Sequence, residues 1–133
     1  MSVEINYLAV FLAMASSMVV GGIWYAKSVF GSEWARLVKL SDKQLTEGAP
    51  RAMGITVVVS LVTAYVLAHM TYIAHDFYGN SFLQDALTTA FWLWLGLTAA
   101  RIITHDVFEH RPTKLTCMAV AHELVTLEVM ALV

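Results

Sequence analysis

The chain has 133 residues, 59% of them hydrophobic and only 14% charged, with a mean hydropathy of +0.67. A soluble domain carries roughly 45–50% apolar and about 25% charged residues and cannot hide several apolar stretches of about twenty residues, so one membrane domain is the economical reading. The net charge of −2 and the lack of any basic, aromatic-interleaved patch exclude nucleic acid as a partner, and the single cysteine, Cys117, cannot form an internal disulfide.

Four apolar runs, about 5–25, 52–73, 82–103 and 115–133, are long enough to cross a hydrocarbon core of about 30 Å at 1.5 Å per residue. The expected fold is therefore all-α: an integral membrane four-transmembrane-helix bundle, 1–133 as a single domain, with a short amphipathic interfacial helix in the first link. The first run opens on Met1-Ser2-Val3-Glu4, acidic where a secretory signal is basic, and it exceeds the roughly 7–15 residues of a signal's apolar region, which predicts a retained helix. Ala9, Ala13, Ser17 and Gly21 recur every four residues along it and form a small-residue face that another backbone can approach closely.

The link that follows begins with Trp24-Tyr25, an aromatic pair of headgroup type, and then Lys27. Trp34, Leu37 and Val38 lie opposite Glu33, Arg36 and Lys39, which predicts a surface helix over Ser32–Leu40. Ser41-Asp42-Lys43-Gln44 has capping-box spacing, and Gly48 with Pro50 supplies a stop, so a second short helix is expected over about Asp42–Glu47. The second span carries two polar stripes, Thr56-Ser60-Thr63 and Tyr65-His69-Tyr72, expected to face protein. Ser81-Phe82-Leu83-Gln84 repeats the cap spacing at the third span, where Asp85 suits the positive end of the helix dipole. The bulky run Phe91-Trp92-Leu93-Trp94 reads as packing against helices or lipid.

All eight basic residues flank two links: Lys27, Arg36, Lys39, Lys43 and Arg51 the first, Arg101, Arg111 and Lys114 the third. Under the positive-inside rule these links are cytoplasmic and both termini lie outside, in the inner membrane if the source is bacterial.

The chain resembles the small four-helix membrane proteins grouped as domain of unknown function 1761. The resemblance is carried by Gly22-Ile23-Trp24-Tyr25 with Phe30-Gly31 and Trp34, by Ala64-Tyr65-Val66-Leu67-Ala68-His69, and by Trp92-Leu93-Trp94-Leu95-Gly96. Phe108-Glu109-His110-Arg111-Pro112-Thr113-Lys114-Leu115 and His122 complete it. Set against that family's pattern, this chain has His105 and Asp106 where amides end the third span, and it carries Glu123 and Glu128 where apolar or aromatic residues are frequent. The resemblance implies a fold and a topology, and no activity.

The fourth span makes the strongest physical demand. His122 and Glu123 fall near its middle, and a carboxylate at the bilayer centre costs about 2.5–3.5 kcal/mol on insertion scales, so Glu123 must be neutral, paired or hydrated. Candidate partners at similar depth are His122, Thr126, Thr63, Ser60, Ser16 and Ser17, with His69 a further member of an intramembrane polar site. Glu128, near the chain end, is expected to reach water. A separate charged cluster, Arg101, His105, Asp106, Glu109, His110 and Arg111, occupies the third link. If the third helix continues, Arg101, His105 and Glu109 share one face, and Asp106 and His110 the next. His105, Glu109 and His110 are the weak metal candidates there. Thr126 replaces the second histidine of an H-E-x-x-H zinc signature, and no nucleophile elbow, phosphate loop or dinucleotide fingerprint is present, so no cofactor is implied and an enzyme is disfavoured.

Three readings follow. The first is a homo-oligomeric channel or transporter for protons, cations or a small solute, using His122 and Glu123; because four helices alone enclose little room, it requires an oligomer. The second is a membrane assembly protein docking a partner on Ser32–Leu40 and on the small-residue face of the first span. The third is a metal-dependent enzyme using His105, Asp106, Glu109 and His110. No motif names the ligand.

Overall fold

Asn6 starts the first helix by accepting a hydrogen bond from the Ala9 amide on its side-chain oxygen, at 3.1 Å, and α1 then runs Tyr7–Trp24. The computed structural model describes residues 3–39 and 41–133; Met1, Ser2, Leu40 and the side chain of Asp42 lie outside the description, and with them the start of the acidic N-terminal segment and the last residue of the expected surface helix.

After α1 the chain makes a π turn, Lys27–Gly31, in which the Gly31 amide donates to the Ala26 carbonyl at 2.9 Å, and passes directly into α2, Ser32–Val38. A Cβ on Gly31 would overlap the Tyr25 carbonyl oxygen, so the turn closes only around glycine. In α2, Trp34, Leu37 and Val38 are half-buried while Arg36 is exposed, in keeping with an amphipathic helix.

The capping box at Ser41 forms as expected: Ser41 Oγ accepts from the Gln44 amide at 3.2 Å and the Gln44 side chain accepts from the Ser41 amide at 2.9 Å. The helix it starts does not stop at Gly48 and Pro50. One helix, α3, runs Asp42–Tyr78 through both, merging the expected short helix with the second span. Proline removes a single backbone hydrogen bond, and a helix of 37 residues keeps its neighbours on either side of that gap. At 1.5 Å per residue α3 is about 55 Å long, well over the thickness of a hydrocarbon core. Gly79, at φ +69°, ends it, its amide returning to the His75 carbonyl at 2.9 Å.

Ser81 caps α4, Phe82–Phe108, by accepting from the Gln84 amide at 3.2 Å. Its middle, Trp94–Ala99, is a π segment, and the Trp94 indole donates to the Val120 carbonyl of the last helix at 2.9 Å. Phe91 and Trp92 are exposed, so the aromatic run divides between helix packing and the outer surface. The last helix, α5, is Thr113–Leu132.

In the packing, α1 touches α3 and α5, and α4 touches the same two from the other side. Where the four meet, the core is Val10, Ala13, Ala64, Leu67, Ala90, Leu127 and Met130. Three alanines among seven residues let the backbones approach closely. The N-terminal part of α3 has no such cover, and every residue from Arg51 to Thr56 is exposed. Among the described residues there is no strand.

Candidate functional site: a polar cavity between three helices

The small-residue face of α1 is spent inside the subunit. Ala13 and Ser17 are buried, and one turn further a Cβ on Gly21 would stand 3.7 Å from His122 Nε2. The face meets α5, as small residues allow, and is therefore not a free docking surface for a partner.

His122 sits where α1 ends. Its ring centroid is 5.0 Å from that of Tyr25 and 5.8 Å from that of Trp24, and Tyr25 in turn meets Trp34 of α2 edge-on at 5.4 Å. Along α5, Thr126 Oγ1 lies 3.3 Å from His122 Nε2, and Glu123 Oε1 lies 3.6 Å from His122 Nδ1. The indole Nε1 of Trp24 is a buried donor without a partner among the described residues.

These contacts revise the depth assignments. His122 is nine residues from Thr113 and ten from Leu132, about 14–15 Å from either end of α5. A ring in contact with it cannot mark a headgroup boundary while His122 marks the bilayer centre. The aromatic pair at the end of α1 is level with the middle of α5, and it is Glu33, bonded by Lys114 Nζ at 2.9 Å, that is level with the start of α5.

His122, Glu123 and Thr126 open onto a cavity of about 620 Å³ between α1, α3 and α5. Ser17, Tyr25, Thr56, Ser60 and Thr63 also line it; in the first stripe of the second span Ser60 is buried and Thr63 half-buried against protein, whereas Thr56 is exposed. Ser17, Thr56 and Thr63 donate their hydroxyl protons to carbonyls of their own helices, Met14, Ala52 and Val59, at 2.6, 2.7 and 3.0 Å. Their oxygens are left with lone pairs, so these three hydroxyls present acceptors. Among the described residues no Lys or Arg lines the cavity, and Met18, Met53, Ile55, Val59, Leu127 and Met130 lie on its apolar side. The cavity lies within a single subunit as a cleft that is open on the side of Met53, Ile55 and Thr56, which are exposed. Of the expected partners, Ser16 donates to Ala13 and does not line the cavity, and His69 stands away from it, 6.2 Å from Tyr65 ring to ring.

The third-link cluster comes apart. Asp106 turns inward, 6% exposed, accepting from Thr116 Oγ1 at 2.7 Å with Arg111 Nη1 at 3.8 Å. The helix ends at Phe108 and His110 adopts a left-handed conformation, φ 56°, so His110 leaves the face it was expected to share with Asp106. Arg101, His105, Glu109 and His110 are exposed. Among the described residues no three His, Cys, Asp or Glu side chains converge as a metal site, and the set His105, Glu109 and His110 is not one.

A second polar knot went unread in the sequence. Asp85, 3% exposed, accepts from Asn80 Nδ2 at 3.0 Å and lies 3.0 Å from His75 Nδ1, tying the end of α3 to the start of α4. The ten-residue spacing of His75 and Asp85 across a tight turn was the available signal.

Glu33 is held by Arg36 and by Lys114, and these two cations push its carboxyl down to about 2.

Among the described residues four helices are long and apolar enough to cross a membrane, Tyr7–Trp24, Lys43–Tyr78, Phe82–Phe108 and Thr113–Leu132, and there is no strand, which defines the class. Within it, the chain belongs to the family described as Protein of unknown function (DUF1761), whose model matches residues 8–133. No curated protein and no solved structure matches it.

Proposed function

We propose that the protein is an integral membrane four-helix bundle that binds and passes a small cation, with the cavity beside His122 and Glu123 as its site. The carrying observation is the wall of that cavity: one carboxylate, one imidazole and three hydroxyl oxygens, those of Ser17, Thr56 and Thr63, whose protons are already committed, with no Lys or Arg among the described residues. Such a wall solvates positive charge, and in hydrocarbon a group like Glu123 is retained where it faces water, a partner or an ion. The volume, about 620 Å³, lies in the range of small-molecule pockets, roughly 300–1,000 Å³, and exceeds what a bare ion needs. Positive-inside placement puts the links at the α2 end in the cytoplasm and both termini outside.

The test is flux into proteoliposomes of protons, potassium and tetramethylammonium, each alone. Transport of one of them that falls on Glu123→Gln supports the reading. Absence of flux for all three, from protein that elutes as a single folded species, refutes it.

A homo-oligomeric assembly protein is the second reading, and the bare N-terminal part of α3 favours it: Met53, Ile55, Val58 and Val62 are each more than half exposed. Lipid covers such a surface equally well. A monomer in detergent and in nanodiscs would count against assembly, and leaves the cation reading untouched because the cleft is lined by residues of one subunit.

A further inference from the structure

A second cavity, about 270 Å³, lies at the other end of the helices, lined by Glu4, Asn6, Thr71, Tyr72, Phe82 and Val133 among others. It shares a wall with the first. Met130, 4% exposed, lines both, and the core residues Val10, Ala13, Ala64 and Leu67 close the second cavity around it. The two cavities also resemble each other in charge: among the described side chains each carries one carboxylate, Glu123 in one and Glu4 in the other, and no Lys or Arg.

We propose that the two cavities are halves of one cation path, that Glu4 marks a second cation site at its far mouth, and that the Met130 side chain is the barrier between them. The inference rests on the cation reading above. Methionine suits the position: its unbranched thioether has three rotatable bonds, fills an irregular gap and leaves it without backbone movement. A dry apolar layer between two cavities that each hold a carboxylate stops ions because a cation there loses its hydration without replacement. Rotation of one flexible side chain removes part of that layer, whereas Leu127 and Leu67 have fewer rotatable bonds.

The experiment uses full-length protein carrying Cys117→Ser, which removes the native thiol from an exposed position on α5 and is expected to leave flux unchanged. In that background Met130→Ala is expected to raise flux of the transported cation by about tenfold, and Met130→Trp to abolish it. Glu4→Gln is expected to lower it severalfold. Independently of flux, Met130→Cys should be modified from both sides of the membrane, and faster by the trimethylammonium-ethyl than by the sulfonato-ethyl methanethiosulfonate, because both approaches carry a carboxylate side chain and no Lys or Arg. Wild-type flux that depends on Glu123 but is indifferent to Met130→Ala and Glu4→Gln overturns this inference and leaves the cation reading standing. A Met130→Cys thiol that is inert, or modified with no preference for the cationic reagent, likewise overturns it. Absence of any wild-type flux overturns both.

Discussion

The Tyr25 ring lies 5.0 Å from the His122 imidazole, centroid to centroid, and this one contact sets the end of α1 level with the middle of α5. It joins a segment that the chain order calls a link to a residue that the chain order calls a helix centre. Because Tyr25 also meets Trp34, the π turn and α2 are held against the N-terminal half of α5 through the same ring.

Removing the imidazole should therefore loosen more than the cavity. His122→Ala deletes a ring packed against both Tyr25 and Trp24, and a cost of about 1–3 kcal/mol is expected, since such aromatic contacts contribute about 0.5–1.5 kcal/mol each and a void is left behind. Heat denaturation in detergent, followed by tryptophan fluorescence, measures it. A variant as stable as the wild type would show that these rings do not hold α1 to α5.

Gly31 and Gly22 make a matched pair for testing the turn. A Cβ at Gly31 would overlap the Tyr25 carbonyl, so Gly31→Ala must displace the turn and should destabilise by about 1–3 kcal/mol, whereas Gly22 has open space around it and Gly22→Ala should stabilise by about 0.5–1 kcal/mol. Equal melting temperatures for the two variants would contradict the geometry.

Asp106 supplies a test at the third link. Thr116→Val withdraws the hydroxyl that donates to the buried carboxylate at 2.7 Å, at an expected cost of about 1–3 kcal/mol, and Thr116→Ser should restore most of it. If valine and serine behave alike in denaturant titrations, the bond is not structural.

The ion pairs on Glu33 predict a pH dependence with a definite sign. Its carboxyl is depressed from 4.5 to about 2 in the folded chain, chiefly by Arg36 and then by Lys114, so the tie is fully present above 4.5 and is lost as pH falls toward about 2. Carbon-detected titration of Glu33 should show this. Arg36→Ala should raise its midpoint further than Lys114→Ala, and a midpoint that neither substitution moves would refute the assignment. High salt should weaken the tie, because both pairs are exposed to solvent.

Residues that act through their own helix were legible from the chain. The Ser41–Gln44 capping box and the inward small face of α1 each follow from spacing within one element and are present, and of the stripe Thr56-Ser60-Thr63 the later two residues turn inward while Thr56 stays exposed. Pro50 misled because a proline signals a lost hydrogen bond and not how much helix surrounds the loss. His110 misled because a shared helical face presumes a helix, and α4 ends at Phe108.

What the sequence by itself determined is the class: four apolar helices, the positions of their polar residues and the end at which basic charge gathers, all consequences of hydrophobicity and period along a single strand of chain. What only the tertiary structure decided is which of those residues share a space. The level of His122 against Tyr25, the inward turn of Asp106 onto Thr116, and the joining of hydroxyls from α1 and α3 to Glu123 depend on how three separate helices slide and rotate against one another. That register is set by side-chain packing between segments up to a hundred residues apart, which no periodicity within one segment encodes.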